Sequence, residues 1–386
     1  MSTSRPLDVV IAGGGAAATE VALVLREHVT ANVRLTFVAP EPEDMTSAVS
    51  EPFVASPRRP CPTAALAHDL GADLVTGRVV TVDGDRHQVV LDDGWTLPYD
   101  ALVLAVGACP RAVVADAALT LFGHAGPIAL DRALADLDLD LDLDPDGAGA
   151  PGIDFVVPAG VTRTLSLYEL AVLAGAGAHD RTADAGLRFR TAEVAPLEAF
   201  GPTAQAAVGR LLDVFGVRFA GSSAELDGDP DPGRRIIALP VLDGPGLAGV
   251  PRTADGFIPI DGHGAVPGMD DVFAAGDATA CPVKHVDVAC AQAATIADVL
   301  AATAGAAVTP VPWVPSVREH LLADFGIGTL SPHDAGIVDA HQALEAAARS
   351  LGVAAGIKGA RRGLPSTPPA ADLVALRHLV QRPLWS

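Results

Sequence analysis

Gly268-Met269-Asp270-Asp271-Val272-Phe273-Ala274-Ala275-Gly276-Asp277-Ala278-Thr279 is the stretch on which the fold turns. Its apolar run, Val272 to Ala275, reads as a short buried strand that stops at Gly276 and is followed at once by the Asp277 carboxylate. A strand ending this way sets an acid at a carboxyl edge, and in open α/β sheets the crevice beyond that edge is where ligands sit. Gly276 lets the backbone approach such a ligand closely. Alone, the pattern reads as a strand-to-turn junction with a solvated acid; the amino terminus changes that reading.

Leu7 to Ala12 is a compact apolar strand, Gly13-Gly14-Gly15 is a turn, and Ala16 to Glu27 continues with helical periodicity. The order strand, glycine turn, helix fits Gly-x-Gly-x-x-Ala. Gly13 makes the tight turn, Gly15 admits a pyrophosphate to the backbone, and Ala18 allows close packing of helix on strand. The phosphates of a dinucleotide would meet the free N–H groups and positive dipole of the helix start; the bland alternative is a flexible glycine loop. Val33 to Ala39 is the next strand, and the ribose-binding acid expected at its end, about 20 residues past the third small residue of the fingerprint, is replaced by Ala39. Glu41 is the nearest carboxylate, read either as the ribose ligand or as a solvated loop charge. Glu51 and Phe53 either face the cofactor or close a loop.

From Gly77 three short strands follow: Arg78 to Val82, Gln88 to Leu91, and Leu97 leading into Ala101 to Val106. They are separated by Asp83-Gly84 and Asp93-Gly94, which spells an antiparallel meander hung on the sheet. Leu102 to Pro110 brings a second small-residue turn to a strand end, with Cys109 just beyond it as a reactive or inert thiol. The run 137–146 alternates Leu and Asp without the glycine of a calcium loop, so it reads as a solvated strand or linker. A second β-α unit starts with Ile153 to Pro158 as strand and Leu167 to Ala176 as helix. The joint between them, Ala159 to Ser166, lacks a Gly-x-Gly turn. Leu187 to Thr191 (strand), Thr203 to Phe215 (helix) and Ile236 to Pro240 complete that module, and Val288 to Ala302 is a helix after the opening stretch. Beyond Gly305, segments from Trp313 to Gly326, Ala340 to Leu351 and Ala370 to Val380 look helical, as an active-site cap, a homodimer surface or neither.

The totals bound these readings. At 386 residues the chain holds two or three domains. A content of 49% hydrophobic but only 4% aromatic residues suits α/β layers with many turns. A net charge of -21 argues against a general affinity for nucleic acid or an anionic membrane. The four cysteines, Cys61, Cys109, Cys281 and Cys290, are too scattered for a disulfide framework, and no pair has zinc-ligand spacing, so no metal is expected. The start carries no basic region followed by an apolar core. Apolar runs break before the roughly 18 residues of a spanning helix, and a cytoplasmic, soluble protein is the expectation.

Three motifs in order carry a resemblance. Val9 to Ala18, Leu102 to Pro110 and Val272 to Asp277 resemble the first FAD, central and second FAD motifs of the pyridine nucleotide-disulfide oxidoreductase superfamily. The likeness spans roughly residues 7 to 303 and points to the branch of sulfide:quinone oxidoreductases, flavocytochrome c sulfide dehydrogenases and type II NADH dehydrogenases. It implies an α/β fold of two Rossmann-like, FAD- and NAD(P)-binding three-layer domains with an antiparallel meander and a C-terminal helical region. The FAD domain would be 1–115 with 252–305, a degenerate NAD(P)-type domain 116–251, and the C-terminal region 306–386. The cofactor implied is FAD, with Asp277 on its ribityl chain and Val288, at the start of the last core helix, near the ring. Gly13, Gly15, Ala16, Ala17, Ala18 and Glu41 would contact it on the dinucleotide side, and Val79, Ala105, Val106, Gly107 and Gly276 are the remaining expected contacts.

Departures limit the carry-over. There is no Cys-x-x-x-x-Cys, which argues against disulfide-reductase chemistry, and the second module lacks its NAD(P) glycines. That loss, and Leu167-Tyr168-Glu169-Leu170, resemble the sulfide:quinone branch. Yet Arg163 stands roughly where sulfide oxidisers carry a cysteine, and Lys284-His285-Val286-Asp287 replaces Lys-Gln-Gly-Gly. Lys284 and His285 are candidates to tune the flavin or shuttle protons, against an exposed lysine and a merely hydrogen-bonded histidine; Cys281 is a candidate for a persulfide, or for a disulfide with Cys109 or Cys290. The expected function is a flavin oxidoreductase, sulfide:quinone oxidoreductase-like, between a small-molecule donor and an acceptor. The alternatives are an NAD(P)H:quinone or acceptor reductase with an altered nicotinamide site, and a non-catalytic flavin-binding subunit or regulator. No basic amphipathic helix stands out in 306–386, which argues against membrane attachment.

Overall fold

Val9-Val10-Ile11-Ala12 carries no polar side chain on either face, which suits a strand covered on both sides, and all four residues are buried. A computed structural model describes residues 5–29, 32–40, 63–112, 114, 119–120, 152–161, 164–178, 186–222, 234–315, 317–318 and 329–330. Glu41, Glu51, Phe53, Cys61, the repeat at 137–146, Arg163 and the helices expected at 340–351 and 370–380 lie outside the described residues.

The chain runs β1 (Leu7–Ala12), α1 (Ala16–His28), β2 (Val33–Ala39), α2 (Thr63–Asp69) and β3 (Asp73–Thr76). It continues through β4 (Val79–Asp83), β5 (Gln88–Leu91), β6 (Thr96–Pro98), β7 (Ala101–Leu104) and β8 (Cys109–Arg111). Next come β9 (Leu119–Thr120), β10 (Ile153–Val156), α3 (Leu165–Ala178), β11 (Leu187–Thr191), α4 (Gly201–Val214), β12 (Val217–Gly221) and β13 (Arg235–Ala238). β14 (Val241–Asp243), β15 (Val272–Ala274), α5 (Val286–Thr303) and the short pair β16 (Val317–Arg318) and β17 (Thr329–Leu330) follow. Two compact units result: the described residues up to 111 with 242–315, and the described residues within 112–241 with 317–318 and 329–330.

In the first unit the sheet order is β15-β7-β1-β2-β3, all parallel, the doubly wound order in which the first strand lies central. Register pairs Val9 with Leu35 and Ile11 with Phe37. Ile11, Phe37, Val103 and Phe273 pack under α1 and α5, whose facing Ala18, Ala22, Ala293 and Ala297 are buried. Val10, Ala12, Leu102, Leu104 and Val272 on the other face pack under the meander, against Val82, Val89 and Leu91. Helices, sheet and meander are thus three layers, and each fully buried large side chain contributes about 1.5–3 kcal/mol. The helix α5 is 18 residues long with mean hydropathy 1.3, enough to cross a membrane by length and composition; half of it is buried inside this unit, where it serves as a core helix.

The second unit repeats the plan, with order β12-β11-β10-β13-β9 and parallel pairing throughout. Its central strand carries Asp154, 0% exposed. Arg188 meets that carboxylate through two bonds of 2.8 Å, Arg234 through one of 2.6 Å, and Arg190 stands 3.5 Å away. Arg234 also donates to the Ile153 and Gly186 carbonyl oxygens, tying the amino ends of β10 and β11 together. Burial pushes the Asp154 carboxyl up, and the hydrogen bonds and charges of Arg188 and Arg234 more than reverse it, so its pKa lies below the ordinary value.

Two sequence expectations change here. The third meander strand does not lead into Ala101 to Val106: β6 closes the antiparallel meander on β5, and β7 leaves it to run parallel between β1 and β15. The helix expected from Trp313 to Gly326 is not formed at Val317–Arg318, which pair antiparallel with Thr329–Leu330. Replacing Asp154 by Asn should cost about 3 kcal/mol or more in urea unfolding, because it leaves buried guanidinium groups short of their counter-charge. The depressed pKa makes this contribution present above about pH 4 and lost as pH falls below it, a limb that the Asn variant should lack; equal acid sensitivity of both proteins would contradict this.

Candidate functional site

The three motifs read from the sequence meet at one sheet edge. Ala12, Leu104 and Ala274 are side by side at the carboxyl ends of β1, β7 and β15, so Gly13, Ala105 and Ala275 leave the sheet together. The Ala105 N–H donates to the Ala12 oxygen at 2.8 Å and the Ala275 N–H to the Leu104 oxygen at 3.1 Å. Gly13 has φ +129, and a Cβ there would overlap the Ala105 carbonyl oxygen. The tight turn expected of Gly13 is therefore joined by a packing demand from the neighbouring motif. A Cβ on Gly14 would overlap the Thr63 hydroxyl, whose oxygen lies 3.5 Å from the Gly14 carbonyl oxygen.

α1 starts at this edge. Gly15 is its N-cap, no side chain caps it, and its first turn holds no acid. The Ala16-Ala17-Ala18 turn therefore presents backbone N–H groups and a positive dipole end that no carboxylate of its own neutralises, which fits a diphosphate. Ala17 and Ala18 are themselves buried against the core. Gly276, at φ +76, lies between the two helix starts: a Cβ would stand 3.3 Å from the Ala17 Cβ and 3.6 Å from the Ala289 Cβ. A short 3-10 helix, Gly276–Ala278, carries the half-buried Asp277.

The remaining expected contacts divide. Val106 is half-buried, and Gly107 has φ +73 with open space where a Cβ would go. Ala105 and Val288 are buried at 7% and 2% exposure, and Val79 at 3% belongs to the core between sheet and meander. For these last three, backbone rather than side chain is what a ligand would meet.

Lys284 is not exposed. At 6% exposure its Nζ donates to the Asp277 oxygen at 3.1 Å and to the Thr279 oxygen, and it lies 3.9 Å from the centre of the Phe257 ring. Burial pulls its pKa down to about 8, against the opposing charges of Asp277 and Cys281. His285, equally buried, is the N-cap of α5: its Nδ1 accepts from the Asp287 N–H at 3.1 Å. The Cys281 thiol donates to the Val283 oxygen at 3.6 Å, and burial raises its pKa, which favours thiol over thiolate. No disulfide joins Cys281 to Cys109 or Cys290, so the bridges considered for it do not form.

Two contributors escaped the sequence reading. Gln292, on α5 and 0% exposed, accepts from the Gly276 N–H at 2.8 Å, and the Thr279 hydroxyl donates to the Gly276 oxygen at 2.9 Å. The lone amide in an alanine-rich helix was the available signal.

In the second unit the corresponding edge is arranged differently. Glu193 stands two residues beyond β11, as Glu41 stands two beyond β2. Its Oε2 accepts from the Tyr168 hydroxyl at 2.6 Å and its Oε1 from the Glu198 N–H at 3.2 Å. Tyr168 is fully buried and stacked on Phe189 at 3.9 Å. Burial raises Glu193, with the Tyr168 bond opposing, and burial beside Glu193 puts the Tyr168 phenol well above its ordinary range. A cavity of about 520 Å³, lined by Arg188, Arg218, Arg234 and Asp213 among others, opens instead at the amino ends of β11 and β12, the edge opposite to ligand sites in such sheets.

Comparisons with known proteins agree with this geometry. Residues 5–139 match the family model described as pyridine nucleotide-disulphide oxidoreductase. No curated protein sequence matches the chain. Among solved structures, the sulfide:quinone oxidoreductase of the hyperthermophilic bacterium Aquifex aeolicus is similar at TM-score 0.64 and 17% identity, over 77% of this chain and 76% of that one. The putidaredoxin reductase–putidaredoxin complex is similar at 0.58 and 22%, over 81% and 79%. The NAD-dependent persulfide reductase of A. fulgidus is similar at 0.58 and 18%, over 81% and 62%. At these identities the structures speak for the fold. The amino-terminal part of the chain is thus similar to the pyridine nucleotide-disulphide oxidoreductase family, and the Gly13–Gly15 turn that suits a diphosphate lies within the matched residues.

Proposed function

We propose that the protein takes electrons from a small donor that is not a nicotinamide nucleotide and passes them through FAD to an acceptor, in the manner of the sulfide:quinone oxidoreductases. The observation that carries this reading is the Tyr168–Glu193 pair. In a nucleotide-binding β-α-β unit, an acid near the end of the second strand reads the ribose hydroxyls. Here both oxygens of Glu193 already accept hydrogen bonds from within the unit, and a ribose would have to displace a buried phenol. The joint before α3 also lacks the glycine pair that lets a pyrophosphate approach the helix start.

On this reading Gly13, Gly15 and the first turn of α1 hold the FAD pyrophosphate, and the Asp277 carboxylate accepts from ribityl hydroxyls. The neutral Nδ1 of His285 caps α5, whose N-terminal dipole favours negative charge developing nearby. Bound FAD supplies the two-electron redox chemistry. Lys284 gives its ammonium to the Asp277 turn, which supports a structural part for it more than a proton shuttle. Cys281, buried and held as a thiol, supports no persulfide relay; the similarity to sulfide:quinone oxidoreductase concerns architecture and the non-nucleotide donor more than a cysteine mechanism.

Anaerobic titration of the flavoprotein tests this. Sulfide or another small thiol should bleach the visible flavin band, while NADH and NADPH should leave it unchanged at concentrations that reduce ordinary pyridine-nucleotide flavoenzymes. Rapid bleaching by either nucleotide would replace the proposal with an NAD(P)H:acceptor reductase.

A further inference from the structure

We propose that Gln292 is a positioning residue for the flavin: its buried carboxamide holds the Gly276–Thr279 turn in the conformation that presents Asp277 to the ribityl chain. The inference rests on the reading of Asp277 given above. It names a residue on a different element that makes the site before any ligand arrives.

The hydrogen bonds form a closed ring. The Gly276 N–H donates to Gln292 Oε1 at 2.8 Å, Gln292 Nε2 donates to Thr279 Oγ1 at 3.5 Å, and Thr279 Oγ1 donates to the Gly276 oxygen at 2.9 Å. Each donor meets an acceptor, and this direction fixes the orientation of the amide, since the Gly276 N–H requires an oxygen opposite it. The turn is held from other sides too. The Ile258 N–H donates to the Ala278 oxygen at 2.9 Å, and Lys284 takes the Asp277 and Thr279 oxygens. The carbonyls of residues 276 to 279 therefore all have partners in the interior, and the Asp277 side chain is carried on a turn whose backbone has few other conformations open to it.

A structural role alone explains Gln292 poorly. The helix neighbours of Gln292 on α5 are Val288, Ala289, Ile296 and Thr295, all buried, with the Thr295 hydroxyl turned to the Val311 oxygen, and an apolar side chain of the same length would fill the place without desolvating an amide. What an apolar side chain cannot do is bind the Gly276 N–H. That group belongs to a glycine at φ +76, where the chain leaves the direction of β15 to form the turn.

The flavin-stripped full-length chain, titrated separately with FAD and with ADP, tests the assignment. ADP lacks the ribityl chain and engages only the Gly13–Gly15 side. Gln292→Met should weaken FAD at least about tenfold and leave ADP within about twofold. Thr279→Val, which opens the same ring from the other side and keeps the side-chain volume, should show the same split at about fivefold, and it decides the matter should Gln292→Met not fold. Parallel loss of FAD and ADP binding, or no loss of either, would overturn the proposal. Asp277→Ala separates the two levels. If it weakens FAD while Gln292→Met and Thr279→Val do not, only the role of Gln292 falls; if it leaves FAD binding intact, the reading of Asp277 falls first.

Discussion

A side chain at Gly13 would occupy the place of the Ala105 carbonyl oxygen, and this contact sets the geometry of the whole site. Because the first strand's exit can press directly on the exit of β7, the turns after β1, β7 and β15 emerge at one edge instead of splaying apart. The helix starts follow from it: α1 begins at Ala16, three residues beyond the contact, and Ala17 of α1 and Ala289 of α5 come close to Gly276, which has no Cβ to stand between them. On the proposed reading, a diphosphate, a sugar-alcohol chain and an isoalloxazine ring would be met by residues far apart in sequence because three short strands end in register.

Backbone satisfaction governs the second half of the site. The turn carrying Asp277 sits where a buried strand stops, so its polar groups would be costly if left unpaired. A lysine, a glutamine and a threonine from three places supply the partners. Burial of Lys284 lowers its pKa to about 8, the expected effect of taking an ammonium out of water, even though the Phe257 ring face beneath it favours the charge. Its resemblance to a catalytic lysine in sequence is thus a resemblance in position, while its bonds are to the backbone. The two units share a topology and differ in what their edges leave open. The first keeps an uncapped helix start behind glycines; the second closes the matching edge with a phenol and a carboxylate.

Much of the frame was legible in the sequence because apolar residues run unbroken through the central strand, Val9 to Ala12, and recur between polar ones in Val33–Ala39, Gln88–Leu91 and Leu187–Thr191. Leu7–Ala12, Val33–Ala39, Gln88–Leu91 and Leu187–Thr191 have the bounds that their composition suggests. Edge strands were not legible. Asp73–Thr76 is exposed or half-buried throughout, and Val217–Gly221 interrupts its apolar pattern with an exposed Arg218, so neither carries the signal of a buried run. The segment from Trp313 to Gly326 reads as helical by spacing, yet Val317–Arg318 pairs with Thr329–Leu330; spacing does not reveal pairing partners 11 and 13 residues away. At the site, glycines and Asp277 stood out because their backbone chemistry is local. Gln292, Lys284 and the Tyr168–Glu193 pair act through contacts between distant residues, which no pattern along the chain encodes.

The central claim is that the edge formed by Gly13, Gly15, Gly276 and Asp277 is an FAD site. Acid release of the cofactor from the purified full-length protein, with the mass and amount of the released flavin measured against protein, tests it most directly. The account predicts one FAD per chain, and about 3 kcal/mol of lost stability with loss of that FAD in Gly13→Ala. A protein that yields FMN, or no flavin after reconstitution with FAD, would contradict it.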